Sequence, residues 1–366
     1  MTPRKLRVAV IFGGKSGEHE VSLVSARSVM AALDKDKYEI YPIGISKTGR
    51  WLTEGDPMAL LTAGLPEERE PAPSLAPGRR ELIPGAGVAG FPEVDVVFPV
   101  LHGPYGEDGT VQGLLELADL PYVGAGVLGS AVGMDKVVMK AVFVANGLPV
   151  ADYLVVLRHH WRQNPEEIIA QVEGRLAYPV FVKPANLGSS VGVSKAHDRA
   201  ELRRGLDLAA RFDRKLLVEQ GINAREIECS VLGNDEPMAS VPGEVVPSNE
   251  FYDYCAKYID NASKLHIPAE LPAKTVQQIQ DLAVRAFLAI DCAGMARADF
   301  FLCRDTGQVY LNELNTIPGF TQISMYPKLW EASGLPYPAL LDRLIALALE
   351  RYQDKRATET SYRFDH

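Results

Sequence analysis

Arg7 to Phe12 is an apolar, β-rich run cut short by Gly13-Gly14. Val21 to Leu33 then repeats apolar residues every three or four positions, and Tyr38 to Ile45 is a second β-rich run. Strand, glycine loop, helix and strand in that order predict a parallel α/β sheet, because parallel neighbours need a crossover and a helix is the usual one. Val94 to Leu101 reads as a further buried strand and Val111 to Leu120 as a short helix. Between Ile45 and Val94, Glu54 to Pro92 holds seven prolines and six glycines in 39 residues. That density of breakers excludes long helices and central strands and predicts a mostly irregular insertion.

A second unit opens near Gly124, with a helix from Met134 to Ala145 stopped by Asn146-Gly147. Strands at Tyr153 to Leu157, Tyr178 to Lys183 and Leu216 to Glu219 follow, with helices at Pro165 to Glu173 and Arg199 to Ala210. A third unit carries strands at Ile227 to Leu232, Ala296 to Leu302 and Val309 to Leu314, and helices at Ala273 to Ile290 and Pro338 to Tyr352. The expected domains are 1–124 with the insertion at 54–92, 125–219, and 220–366. A chain of 366 residues with 47% hydrophobic and 23% charged residues can bury several cores. Its net charge of -9, without a long basic block, speaks against a nucleic-acid partner but leaves room for a small anion held by a few placed lysines.

The apolar run at Val8 to Phe12 is too short for an export signal. The longest uncharged stretch, Leu120 to Met134, contains four glycines and falls short of a membrane helix. Cys229, Cys255, Cys292 and Cys303 are widely spaced, with no CxxC pair, and read as reduced thiols. The expectation is a cytoplasmic protein with no membrane partner.

Gly13-Gly14-Lys15-Ser16 ends like a P-loop, but that pattern requires glycine where Ala9 stands, and no GxGxxG fingerprint is present. A glycine turn feeding a helix still offers an anion site, although Glu18 and Glu20 at the helix entrance equally suit the helix dipole. Lys183 is more telling. It ends an apolar strand and opens Pro184-Ala185-Asn186-Leu187-Gly188-Ser189-Ser190-Val191-Gly192, a loop whose backbone N–H groups and hydroxyls suit phosphate oxygens. A lysine in such a strand is costly unless paired or functional. Lys136, just inside a helix start, is a second candidate cation.

Arg297-Ala298-Asp299 and Glu313-Leu314-Asn315 flank Asp305-Thr306-Gly307, which suits a three-residue hairpin loop with glycine in the left-handed position. Pairing Arg304 with Gln308 sets Asp299 opposite Glu313 and Arg297 opposite Asn315, all on one face. Two carboxylates and an amide oxygen then converge, a donor set suited to Mg²⁺. A one-residue slip would undo this, and the plain alternative is a solvated hairpin face.

Together these segments resemble the D-alanine:D-alanine ligases of the ATP-grasp superfamily. The likeness runs in order through GGKSGEHEVSLVS from Gly13, LHGPYGEDGTVQGLLE from Leu101, GMDK from Gly133, VKPANLGSSVGVS from Val182, FYDYCAKY from Phe251, RADF from Arg297 and NELNTIPGFTQIS from Asn312. It implies an N-terminal parallel α/β domain followed by two ATP-grasp subdomains that clamp ATP. Lys136 and Lys183 would meet the nucleotide phosphates with Ser189 and Ser190, Lys257 the γ-phosphate, and Glu226 the ribose. Glu219 opens the adenine-side segment, where Gln220 and Ala224 depart from the usual lysine and glycine. Asn312 and Glu313 belong to the nucleotide side, and Asp299, Glu313 and Asn315 would hold two Mg²⁺ or Mn²⁺ ions.

The resemblance further implies that one D-alanine carboxylate attacks ATP to give an acylphosphate, and that the amine of a second D-alanine displaces phosphate. Glu18, linked to Ser189 and Tyr258, would anchor the first substrate's ammonium beside His102. Arg297 and the Gly319 N–H would serve the oxyanion, and Ser324 the second substrate's carboxylate. Pro247 to His266 would form a lid, and a homodimer is the family's expected assembly. The other readings are a ligase with a different acceptor, D-lactate or D-serine, and a non-catalytic nucleotide-binding protein. The second would not need competent residues at Lys183, Asp299 and Glu313.

Overall fold

The computed structural model describes residues 4–64, 93–246, 264–321 and 323–359, and the backbone of two short strands at 74–75 and 82–83. The first unit runs β1 (Leu6–Gly13), α1 (His19–Ala32), β2 (Tyr38–Ile45), β3 (Trp51–Leu52), α2 (Pro57–Ala63), β4 (Ser74–Leu75), β5 (Leu82–Ile83), β6 (Val96–Val100) and α3 (Thr110–Leu117). As expected, β1 pairs in parallel with β2 and β6. Val8, Val10 and Phe12 face one core and Ala9 and Ile11 the other, so this central strand is buried on both sides. That double burial is why its sequence is a continuous apolar run without polar alternation. The start of the expected irregular insertion contains α2, begun by Pro57 and capped by Asp56; proline is tolerated in a first turn, where its missing N–H has no partner to lose.

The chain continues with α4 (Val127–Met134), α5 (Lys136–Ala145), β7 (Tyr153–Leu157), α6 (Arg158–Gln163), α7 (Pro165–Glu173), β8 (Val180–Pro184), β9 (Ser194–Ala196), α8 (Arg199–Phe212) and β10 (Lys215–Gln220). The one helix expected over Met134 to Ala145 is therefore the second of two. Asp135 leaves the helical conformation and its side chain accepts from the N–H groups of Val137 and Val138, so it caps α5 while ending α4. The second sheet is antiparallel, in the order β7-β10-β8-β9. Its Val180, Val182, Leu216 and Val218 pack on α7 and α8.

The last unit comprises β11 (Ala224–Gly233), β12 (Met238–Ala239), β13 (Gly243–Val246), β14 (Lys264–His266), α9 (Ala273–Ala289), β15 (Gly294–Cys303), β16 (Val309–Asn315), α10 (Met325–Ala332) and α11 (Tyr337–Arg356). Its sheet has the order β14-β13-β11-β15-β16. The cores do not follow chain order. Met139 and Phe143 of α5 pack with α9 and the third sheet, and Leu340, Leu341 and Leu344 of α11 join Val8 and Val10 in the first. Among the described residues, no helix is long and apolar enough to cross a membrane.

The β15–β16 hairpin corrects one expectation and keeps its result. Cys303, not Arg304, bonds Gln308, leaving Arg304 to Gly307 as the turn. The register shifts once, between Asp299 and Phe300, so Asn312 is an extra residue in β16, and Asp299 still pairs with Glu313 and Arg297 with Asn315. The bulge also changes parity. Val309 and Leu311 before it and Leu314 after it all face the apolar core. Strict alternation would have turned Glu313 and Asn315 inward.

Gly129 marks a tight contact between α4 and the third unit, since a Cβ there would sit 2.6 Å from the Asp291 carbonyl oxygen and 3.1 Å from Cys292 Cα. Backbone cannot yield as a side chain can. Gly129→Ala is expected to destabilise the fold by about 1–3 kcal/mol, read as a lowered Tm; an unchanged Tm would contradict this packing.

Candidate active site

The faces of the second and third sheets turned away from α7, α8 and α9 carry the polar groups. On β8 and β10, alternation sends Val180, Val182, Leu216 and Val218 into the core and leaves Lys183 and Glu219 on the other face. On β11 and β15, Ile227, Cys229, Ala296 and Ala298 are core residues, while Glu226, Glu228, Arg297 and Asp299 share the opposite face. The helix α5 lies against both sheets, and its Lys136 and Lys140, four residues apart, project from one side of it.

Glu219 is 1% exposed and binds two lysines, Lys140 at 2.5 Å and Lys183 at 2.5 Å. Burial alone would raise the Glu219 carboxyl, but the charges of Lys140 and then Lys183 hold it down at about 2. Burial pulls Lys183 down as well, yet Glu219 outweighs it, with Glu313 and Glu226 adding to the field, and leaves it above the ordinary lysine value. For Lys140 burial wins and the value falls. Lys183 also reaches Asn312 Oδ1 at 3.5 Å. Lys136 donates to the Leu187 carbonyl at 2.9 Å and pairs with Glu313 at 3.2 Å, tying the glycine-serine loop to the hairpin. Ser189 and Ser190 in that loop have positive φ of 48° and 58°, a conformation that non-glycine residues keep only where the surroundings enforce it.

Arg297 forms a bidentate pair with Asp299, 2.7 Å on each arm, and lies 3.0 Å from Glu228. Burial opposes its charge, but Asp299 and Glu228 hold it well above the ordinary arginine value. Asn315 Nδ2 donates to Asp299 at 3.0 Å. Across three strands, Glu228, Asp299 and Glu313 occupy adjacent register positions. Among the described residues no three His, Cys, Asp or Glu side chains gather as a metal cluster. The candidate set is two carboxylates and an amide, all hard oxygen donors, which fits a divalent cation that keeps waters and phosphate oxygens as its other ligands.

A second cluster lies where the first unit meets the other two. Glu18, 8% exposed, accepts a hydrogen bond from Ser189. The backbone presses against the same carboxylate from two loops: a Cβ on Gly188 would fall 2.6 Å from Glu18 Oε2, and one on Gly103 2.8 Å from it. His102 Nδ1 lies 3.0 Å from the Ile317 carbonyl oxygen. Burial lowers its pKa against the pull of Glu18. Phe320 N donates to Ser25 at 3.3 Å, so the loop holding Gly319 is docked on α1. Ser324 Oγ takes the Thr321 N–H at 3.0 Å and would be 2.8 Å from a Cβ on Gly319.

The family model for the D-ala D-ala ligase N-terminus matches residues 7–125, and that for the D-ala D-ala ligase C-terminus matches 142–346. The chain belongs to the D-ala D-ala ligase family. It is 54% identical to a D-alanine--D-alanine ligase of Ruminiclostridium cellulolyticum over 98% of this chain and 99% of that one. It is 57% identical to one of Thermoanaerobacter pseudethanolicus over 96% and 98%. Among solved structures, it resembles the D-alanine-D-alanine ligase of Coxiella burnetii, with TM-score 0.82 and 40% identity over 97% of both chains. It also resembles a D-Ala:D-Ser ligase of Enterococcus faecalis, with TM-score 0.79 and 37% identity over 94% of this chain and 100% of that one.

Of the site expected from sequence in this ligase-family chain, Lys136, Lys183, Asn312 and Glu313 stand together, as do Arg297, Asp299 and Asn315, and Glu18 with Ser189. Glu226 is half-buried on the same sheet face as Glu228. Glu219, expected on the adenine side, has both oxygens against lysines. Lys257, Tyr258, Cys255 and most of the expected lid lie outside the described residues; the last three lid residues, Lys264–His266, are β14 and pair with β13. Lys140, Glu228 and Glu107 were missed. Glu228 had a signal, two positions after Glu226 in an alternating strand. Lys140 had only its place one helical turn after Lys136.

Glu107 accepts from Gly103 N at 2.7 Å, and burial, then the charge of Glu18, push its carboxyl up to about 8. It belongs to the same cluster as Glu18, His102 and Lys136, whose charges act on it or on one another. A raised folded value means its stabilising contribution is complete below the unfolded carboxyl value of about 4.3 and is lost as pH rises through 8. Glu107→Gln should flatten the fall in apo-protein stability across that window, measured as urea midpoints at stepped pH. Equal slopes in the two proteins would contradict it.

Proposed function

We propose that this chain joins two D-alanine molecules into D-alanyl-D-alanine with ATP, releasing ADP and phosphate, as a step toward peptidoglycan. The observation that carries the reading is the continuity of two clusters: the buried Glu18 carboxylate and the lysine-carboxylate cluster share the Leu187 to Ser190 loop through Lys136 and Ser189.

In this reading Lys136 and Lys183 neutralise phosphate oxygens, and Glu18 holds the first substrate's ammonium with its carboxylate toward the γ-phosphorus. That carboxylate oxygen forms the new P–O bond as the bond to ADP breaks. The second D-alanine's free amine then adds to the acyl carbon, Arg297 and the Gly319 N–H meet the oxyanion, and the acyl C–O bond breaks so that phosphate leaves with the transferred oxygen while the nitrogen's surplus proton passes to phosphate or solvent. Asp299, Glu313 and Asn315 would hold Mg²⁺ or Mn²⁺, two ions by family resemblance, which supplies charge neutralisation at the phosphates when bound. His102 borders the first substrate, Ser324 the second, and Lys257 and Tyr258 serve the γ-phosphate and the Glu18 network. We further propose units 1–124, 125–219 and 220–366, a homodimer, and a cytosolic site of action.

The test is phosphate release with ATP and Mg²⁺, offering D-alanine, L-alanine, or D-alanine with D-serine or D-lactate, and weighing the products by mass. Release that requires D-alanine and yields the dipeptide is expected. A mixed product formed in preference would favour the second reading, supported by the likeness to the D-Ala:D-Ser ligase. No release with any of them, while nucleotide binds, would sink the assignment. Arg297→Lys keeps a cation between Asp299 and Glu228 but loses the planar fork; kcat should fall about 10²–10³-fold with Tm nearly kept, and an unchanged kcat would remove Arg297 from the oxyanion role.

A further inference from the structure

We propose that Lys140 is a positioning residue for the ligation. It holds Glu219, and through it Lys183, at the nucleotide phosphates, and it pins the bulged Asn312 that decides which residues of β16 face the site. This deepens the proposed function and rests on its reading that Lys183 meets phosphate.

Lys140 is 1% exposed. A lysine so placed is tolerated only with partners, and its two partners belong to different sheets: Glu219 of β10 at 2.5 Å and the Asn312 carbonyl of β16 at 3.1 Å. Neither contact involves solvent or the outer surface. Both lie behind Lys183, which takes the other Glu219 oxygen.

The first contact works through charge. A Lys183–Glu219 pair alone would be neutral, and the carboxylate would compete with any phosphate for the ammonium. With Lys140 on its second oxygen, Glu219 is shared between two lysines and competes less strongly for the Lys183 ammonium. An incoming phosphate can then take Lys183 as its partner.

The second contact works through register. The extra residue of a bulge is left out of the ladder, and here its carbonyl is taken by Lys140. The preceding residue of the same helix acts two positions further along β16, where Leu314 N donates to Met139 Sδ at 3.4 Å. One turn of α5 therefore grips β16 on both sides of Glu313. Without that grip, regular pairing would turn Glu313 toward the apolar core and Leu314 toward the cleft. Lys140 thereby links the lysine that meets phosphate to the carboxylate that meets metal.

The experiment uses Lys140→Met, of similar length and uncharged, Lys140→Gln, Glu219→Gln, and Lys140→Met with Glu219→Gln. Tm reports folding, calorimetry reports Mg²⁺-ADP affinity, electron paramagnetic resonance reports Mn²⁺ binding, and steady-state rates give KM for ATP and for D-alanine. Lys140→Met should bind ADP and Mn²⁺ about 10- to 100-fold more weakly, with KM for D-alanine unchanged because the Glu18 pocket is built from other residues. The double variant should lose no more ADP affinity than the weaker single variant. Wild-type ADP and Mn²⁺ affinities in Lys140→Met, even with a lowered Tm, would make Lys140 merely structural and overturn the proposal, as would additive losses. Should Lys140→Met fail to fold, Lys140→Gln, which keeps an amide donor, must show the ADP loss or the proposal falls. Failure of the unaltered protein to bind ADP would instead sink the nucleotide reading itself.

Discussion

Lys140, Glu219 and Lys183 are three ionisable groups in a place nearly closed to water, one carboxylate shared between two lysines. Such a cluster is costly by itself, because desolvation of each ion must be offset by its partners. It persists because the chain brings a helix and two sheets around it: α5 supplies one lysine, β8 the other, β10 the carboxylate and β16 a carbonyl. The direction of each titration follows. The carboxylate between two ammonium groups is driven down, and the lysine with the greater acidic field stays charged.

The rest of the cleft extends this arrangement across the third sheet. Arg297 sits among carboxylates on neighbouring strands, so its guanidinium is fixed in orientation before any substrate arrives. Such preorganisation is where a buried cation is most useful to a developing oxyanion. The Glu18 pocket is separate in chain origin but not in space. Loops from the first and second units close on one carboxylate, and glycine at 103 and 188 is what lets the backbone come so near.

Much of this was legible in the residues alone. Lys183 announced itself by standing at the end of an apolar strand, and the alternation around Arg297 and Glu313 put the right residues opposite each other. Yet alternation gives that pairing with a turn one residue shorter than the real one, and the bulge at Asn312 restores the register. A bulge in β16 is held by a helix residue 172 positions earlier, and no local pattern carries that. Lys140 was hidden for the same reason: on a helix of mixed character it reads as a surface lysine until the sheets are folded around it. Glu219 was legible as part of the nucleotide segment but not as the anchor of two lysines. The break at Asp135 and the packing of α11 against α1 and β6 likewise depend on partners distant in the chain.

The central claim is that a D-alanine, held by its ammonium at Glu18 with its carboxylate aimed across the lysine cluster, attacks the nucleotide's terminal phosphorus through that carboxylate. Supplying ATP with D-alanine labelled by oxygen-18 in its carboxylate, and weighing the released phosphate, tests it most directly. The account predicts that one labelled oxygen passes into phosphate for each dipeptide formed. Unlabelled phosphate alongside normal dipeptide synthesis would contradict it.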